Sequence, residues 1–345
     1  MADIAVVGGG PAGCALAVSA TRCGHRVVIY DEGRRLKSWP GESLPAGAGE
    51  LVASVFGADV LTGHAKAFGT ASAWGSDQLV THDYMAHWSG HGWHLDRGAF
   101  DAAVRAVALS LGVRFEQQRI TSIGQISADW IVDASGRAGA LVSRVGGRRM
   151  CLDDQVALIG VVPDRGGARV TTVESVPDGW WYTTPLPNGS RVVALVTDAA
   201  IARGNRQLWH GSLSTTTHIA AIAADVTGVD VSAYPADTSY RETITGDGWL
   251  AVGDAAACFD PLSSQGLLTG IVMGARAGAL LGDNLEGWAS DYRAVVDEHV
   301  AVRSAFLHAE DRWPDAPFWR QRRAGLVKGA DDVLVPVDQR SGHHT

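Results

Sequence analysis

Apolar residues run without interruption over Ile4-Ala5-Val6-Val7, stop at Gly8-Gly9-Gly10, continue as a small-residue segment from Pro11 to Arg22, and return from Arg26 to Tyr30. A short unbroken apolar run ending in glycines reads as a strand covered on both faces, and the small residues after Pro11 read as a tightly packed helix. Residues 3–32 therefore predict a βαβ unit. The same strand-into-glycine pattern recurs at Trp130-Ile131-Val132 and Trp249-Leu250-Ala251-Val252, so three distant pieces are expected to join one sheet. Residues 56–95 and 150–240 are rich in Val, Thr, Trp and Tyr, with turn signals such as Pro187-Asn188-Gly189, which predicts an antiparallel sheet. Trp288, Tyr292, Val295, Val296 and His299 recur at three- and four-residue steps, which predicts a helix over 286–312.

The expected organisation is an interleaved one. Residues 1–55, 96–148 and 240–282 would form a cofactor domain with a parallel sheet. Residues 56–95 and 149–239 would form an antiparallel substrate domain, followed by a helical region over 283–330 and a polar tail over 331–345.

Composition narrows the class. With 29 basic against 37 acidic side chains, the net charge of −8 argues against a nucleic-acid clamp. The best membrane candidate, Gly266 to Leu281, is shorter than a span of about 20 residues and carries Arg276. It reads as a buried helix. No basic stretch, long apolar segment or cleavage site precedes Ile4, and Cys14, Cys23, Cys151 and Cys258 show no paired spacing, so a reducing, cytoplasmic setting is expected. His82, His87, His91 and His94 cluster, but glycines interrupt them and no cysteine or carboxylate pair accompanies them. No metal site is expected.

Chemistry begins at Gly8-Gly9-Gly10-Pro11-Ala12-Gly13, a GxGxxG spacing placed after a strand and opening a helix. Gly8 permits the tight turn, Gly10 lets backbone amides approach a pyrophosphate, and Gly13 allows close helix–strand packing. The helix start at Pro11 and Ala12 adds partial positive charge. Asp31, 18 residues beyond Gly13, and its neighbour Glu32 end the second strand, where a carboxylate can accept from an adenosine ribose. No second GxGxxG follows, so a separate nicotinamide domain is not expected.

Three later segments choose the dinucleotide. Leu95-Asp96-Arg97-Gly98-Ala99-Phe100-Asp101, Asp133-Ala134-Ser135-Gly136-Arg137 and Gly253-Asp254-Ala255-Ala256 with Asp260-Pro261-Leu262-Ser263-Ser264-Gln265-Gly266 resemble, in order, the FAD-binding motifs of the p-hydroxybenzoate-hydroxylase-like flavoproteins. That group includes monooxygenases, flavin-dependent halogenases and geranylgeranyl-reductase relatives. The resemblance implies a glutathione-reductase-like α/β fold. It implies that Arg97 reaches the FAD phosphates, that Asp254 reaches the ribityl or pyrophosphate side, and that the turn through Asp260, Pro261, Ser264, Gln265 and Gly266 aims a helix start at the flavin carbonyl edge. Gly270, Gly274, Gly278 and Gly282, at four-residue steps, read as a packing stripe.

Pro40-Gly41-Glu42-Ser43-Leu44-Pro45, Ala73-Trp74-Gly75-Ser76 and Gly179-Trp180-Trp181-Tyr182-Thr183-Thr184-Pro185 are similar to segments of the flavoproteins that mature tryptophylquinone-dependent amino-acid oxidases. This implies oxygenation of an electron-rich aromatic ring, an indole or peptidyl tryptophan, through a flavin hydroperoxide. Electrons would come from NAD(P)H directly or through a flavin reductase. Glu42 and Ser43 would lie near the flavin, Glu42 as an acid–base group, with Trp74, Trp180, Trp181 and Tyr182 as aromatic walls. The halogenase alternative rests on Lys66, eight residues before Trp74, whereas Trp180-Trp181-Tyr182-Thr183-Thr184-Pro185 departs from the WxWxIP of that family. A reductase acting on a double bond and a degenerate scaffold are the remaining alternatives.

Overall fold

The computed structural model describes residues 1–33, 42–84, 90–145, 147–205, 207–223 and 226–326. A six-stranded sheet forms one side of the molecule. Its spatial order is Thr245–Gly246, Trp249–Ala251, Trp130–Asp133, Asp3–Val7, Arg26–Asp31 and Arg114–Gln117. Every pair is parallel except the first. Asp3–Val7 sits inside the sheet because Ile4 to Val7 are apolar on both faces, and all four are buried.

Helix Pro11–Arg22 lies against helix Gly266–Leu280 in a core that also takes Phe56, Val60 and Leu61. The close approach comes from glycine. A Cβ at Gly274 would stand 2.5 Å from the Ala12 carbonyl oxygen, and one at Gly278 would stand 2.3 Å from that of Leu16. Gly282 is outside this stripe: it follows the helix end at φ +84° and serves the turn.

A seven-stranded sheet faces this half, in the order Ser232–Pro235, Gln155–Pro163, Ser190–Asp198, Gly179–Pro185, Val170–Val176, Gly69–Ala73 and Val80–Asp83. The pattern predicted it as antiparallel; Val170–Val176 and Gly69–Ala73 pair in parallel, the other neighbours antiparallel. Short helices at Ala199–Gly204, Leu208–Leu213 and His218–Ala223 interrupt the region read as sheet, and the last two help bury its outer face around Trp181 and Trp209. Two three-stranded sheets stitch the halves together. Glu42–Leu44, Gly92–Leu95 and Ala65–Ala67 form one, and Arg149–Cys151, Ser239–Arg241 and Ala257–Cys258 the other.

The C-terminal helix spans Leu285–Ala309, with Trp288, Tyr292, Val296 and His299 buried as their spacing predicted. Helix Pro317–Leu326 follows. The tail from Asp331 lies outside the described residues. Among the described residues, no helix is long and apolar enough to cross a membrane, and no cluster of His, Cys, Asp and Glu is placed to hold a metal ion. All four cysteines are free thiols.

Candidate active site

One continuous cavity of about 330 Å³ runs between the two sheets, from the first glycine turn to the inner face of the seven-stranded sheet. At the turn, Gly8 has φ +111°, and a Cβ there would come within 2.2 Å of the Ala134 carbonyl oxygen. Gly13 is equally constrained, since its Cβ would meet the Gly8 carbonyl oxygen at 2.2 Å. Gly10 differs: nothing lies within 4 Å of a Cβ there, and the residue borders the cavity with Pro11 and Ala12. Gly10 caps helix Pro11–Arg22 without a side-chain bond, so its first amides are left for a ligand. Asp31 folds back on this turn, accepting from the amides of Gly9 and Gly33, each at 2.8 Å. Glu32 pairs with Arg119 at 3.6 Å.

The second loop is shaped by Asp133, which is buried at the end of its strand. It accepts from the Ser135 hydroxyl at 2.6 Å and from the Leu141 and Val142 amides at 2.8 and 2.7 Å. This puts Gly136 and Arg137 on the cavity wall. Arg97 reaches the same wall from the start of helix Arg97–Ser110, bonded to Asp101 at 3.1 Å. Asp254 stands 3.9 Å from Arg137. Its side chain is 47% exposed and borders the cavity. Desolvation there raises its pKa, against the pull of Arg137, Arg97 and Arg149.

The third loop carries Asp260, which the sequence reading assigned to the cofactor. The structure gives this carboxylate an internal role. It is 2% exposed, accepts from the Leu262 amide at 3.0 Å and from Gln155 at 3.0 Å, and pairs with Arg303 at 2.8 Å. Burial would raise its pKa, but the Arg303 charge and these hydrogen bonds outweigh it and hold the group ionised. Pro261 follows it, and Ser264 takes φ +50°, alone among the described non-glycine residues in being left-handed. The chain then turns through Gln265 into helix Gly266–Leu280, whose start also lacks a side-chain cap and borders the cavity.

These features fit FAD. Two uncapped helix starts face one cavity, Gly10 and Gly266 each leave open space where a Cβ would stand, and Arg97, Arg137 and Asp254 lie between them. Gly8, Gly10, Pro11, Ala12, Arg97, Arg137 and the Pro261–Gly266 turn would hold the group.

The far wall is the seven-stranded sheet. Alternation along Gly179–Pro185 turns Trp180, Tyr182 and Thr184 toward the cavity, beside Thr171, Val173, Val192 and Ile159. Trp181 therefore faces the other way. It packs against Trp209 with ring centroids 5.6 Å apart and donates to the Ser212 hydroxyl at 3.3 Å, which corrects its expected place on the wall. Trp74 does not border the cavity either. Its Nε1 donates to the Phe306 carbonyl at 2.7 Å, and its ring meets Trp180 and Trp319 edge-on, so it backs Trp180 from behind. Lys66 is exposed on the Ala65–Ala67 strand and is absent from the cavity lining, so the expected juxtaposition of this lysine with the reacting face is not found. Ser43 borders the cavity. The side chain of Glu42, like His87, Trp88, Lys37 and Lys328, lies outside the described residues; the Glu42 backbone pairs with Leu95.

Sequence reasoning missed Arg137, Thr171 and Thr184 as lining residues. Arg137 stood within a quoted motif. Thr184 is two strand steps from Trp180, whereas Thr171 comes from the neighbouring strand Val170–Val176, whose pairing no sequence signal gave.

No family model matches the chain. Over 363 aligned residues it is 29% identical to the "Putative FAD-dependent oxidoreductase LodB" of Marinomonas mediterranea, covering 93% of this chain and 97% of that one. Among solved structures, the myxobacterial chondrochloren halogenase CndH, a FAD-dependent halogenase, superposes with a TM-score of 0.82 at 21% identity, covering 98% and 92% of the two chains. The peptidyl tryptophan dihydroxylase QhpG, essential for tryptophylquinone cofactor biogenesis, gives 0.75 at 23% identity over 93% and 78%. Motif order, cavity and these likenesses converge: the chain is an enzyme similar over nearly its whole length to FAD-dependent oxidoreductases and halogenases.

Proposed function

We propose that this enzyme is an FAD-dependent monooxygenase that hydroxylates a neutral, electron-rich aromatic ring of the indole or peptidyl-tryptophan class. The observation that carries the reading is the division of the cavity lining. Among the described residues, every charged group there (Arg97, Asp101, Arg137, Asp254, Asp260) belongs to the cofactor side. The sheet wall offers Ile159, Val173, Trp180, Tyr182 and Val192 with no charge among them.

FAD, when bound, supplies the oxidising chemistry, drawing on electrons from NAD(P)H directly or through a separate flavin reductase. The chain's own residues do the positioning. Trp180 and Tyr182, with centroids 5.8 Å apart, give a ring two aromatic contacts, and the aliphatic side chains around them keep water out. A free amino acid would bring an ammonium and a carboxylate that this wall leaves unpaired, a penalty of roughly several kcal/mol. A tryptophan held in a peptide brings neither, in keeping with the likeness to the peptidyl tryptophan dihydroxylase. The likeness to halogenases favours halogen transfer as the second reading, and it would need a lysine at the reacting face.

The test is product mass. FAD-loaded enzyme, supplied with reduced flavin, heavy-oxygen gas and bromide, is incubated with a tryptophan-containing peptide. One labelled oxygen atom gained per hydroxylation, with no bromine, is the expected product. Bromine incorporation would establish the halogenase reading instead, and turnover without oxygen would establish a reductase.

A further inference from the structure

Beside Tyr182 the apolar wall is broken by a cluster of hydroxyls. The hydroxyls of Ser43, Thr171 and Thr184 form a triangle, with Ser43 to Thr171 at 3.3 Å, Ser43 to Thr184 at 3.3 Å and Thr171 to Thr184 at 3.2 Å. All three residues border the cavity. Behind the triangle sits His94, fully buried, whose Nδ1 lies 2.9 Å from the Thr184 hydroxyl and 3.1 Å from that of Ser43. Four strands converge here: Glu42–Leu44, Gly92–Leu95, Val170–Val176 and Gly179–Pro185.

The direction of these hydrogen bonds follows from the histidine. Burial lowers its pKa to about 4, so the ring is neutral near pH 7 and carries a single proton. We assign the ring proton to Nε2, which has no hydrogen-bond partner among the described residues, so that Nδ1 is the acceptor for the hydroxyls beside it. Thr184 donates to it, and Thr171 donates to Thr184. Ser43 has its acceptors within the same cluster. In this assignment each hydroxyl hydrogen has an acceptor inside the cluster, which leaves oxygen lone pairs for the cavity.

We propose that the Ser43–Thr171–Thr184 triangle, oriented by His94, is a specificity site that accepts a hydrogen bond from an N–H or O–H borne on the substrate ring. His94 acts as a positioning residue: it touches no substrate and sets the polarity of the hydroxyls that do. The inference rests on the aromatic-substrate reading above and sharpens it. A ring lacking a donor would enter the same apolar wall and leave the triangle unanswered.

Calorimetric titration of the FAD-loaded full chain tests this with two probe pairs, indole against benzofuran and phenol against anisole. Indole is expected to bind about tenfold more tightly than benzofuran, the worth of one neutral hydrogen bond, and the phenol pair reports whether an O–H serves as well as an N–H. The double variant T171V/T184V should bring the indole-to-benzofuran ratio close to one while leaving FAD affinity and benzofuran affinity unchanged. Thr184→Ser, which keeps the hydroxyl, should retain the preference. Equal binding of indole and benzofuran by the wild-type enzyme, or a preference that survives the double variant, would overturn the specificity site and leave the aromatic reading standing. Failure of all four rings to bind FAD-loaded protein would overturn the aromatic reading and this inference together.

Discussion

Gly10 and Gly13 lie three residues apart in one turn and are glycines for different reasons. A methyl at Gly13 has nowhere to go, with the Gly8 carbonyl oxygen 2.2 Å away, whereas a methyl at Gly10 would extend into open cavity. Gly13→Ala is therefore expected to destabilise the FAD-free protein by about 2 kcal/mol or more, the scale of overpacking a closed site. Gly10→Ala should leave the FAD-free melting temperature unchanged and weaken FAD binding at least tenfold, since the new methyl occupies the approach to the helix amides. Thermal unfolding and FAD titration on both variants separate the two cases. This pair was legible in the sequence because the fingerprint assigns each glycine its own geometric duty. The tryptophan pair was not: Gly179–Pro185 is buried along almost its whole length, so hydrophobicity gives no alternation to read, and only the sheet geometry separates Trp180 from Trp181.

At the scale of elements, the C-terminal helix Leu285–Ala309 acts as a strut for the loop that borders the cavity. His299 and Arg303, one turn apart, both reach Asp260: His299 Nε2 accepts from its amide at 3.2 Å, and Arg303 donates to its carboxylate while also pairing with Asp153 at 2.7 Å. These groups are almost wholly buried, so removing the cation strands two carboxylates. Arg303→Met is expected to destabilise the fold by about 3 kcal/mol, as read from denaturant midpoints, and to lower FAD affinity, because the Pro261–Gly266 turn loses its anchor. A variant as stable as the wild type would show that the strut bears no load. Helical spacing announced the helix itself. Its ionic role could not be read, because Asp153 and Asp260 are remote in sequence and a buried arginine has meaning only beside its partners.

The whole molecule should be acid-sensitive in a definite window. Burial lowers the pKa of both His94 and His299 to about 4, against an ordinary value of 6.5, so each is neutral when folded and protonated when unfolded between those limits. The unfolded chain then binds more protons. Stability present above pH 6.5 is lost as the pH falls toward 4, by about 2 kcal/mol per histidine at pH 5. Asp254, with its raised pKa, opposes this at the acid end. Denaturant midpoints at pH 7.5 and 5 check the sign, and an unchanged midpoint would contradict it. The interleaving that brings these histidines inside was partly readable, since three strand-and-glycine signals pointed to a single sheet. The parallel pairing of Val170–Val176 with Gly69–Ala73 was not, because pattern records which face is apolar and not which way a neighbour runs.

Gly274 and Gly278 press helix Gly266–Leu280 onto the backbone of helix Pro11–Arg22. The two elements whose free amides look into the cavity are thereby fused like the jaws of a fixed caliper. The spacing of the two helix starts is set within that pair, so a change of side chains on the sheet opposite would leave that spacing as it is.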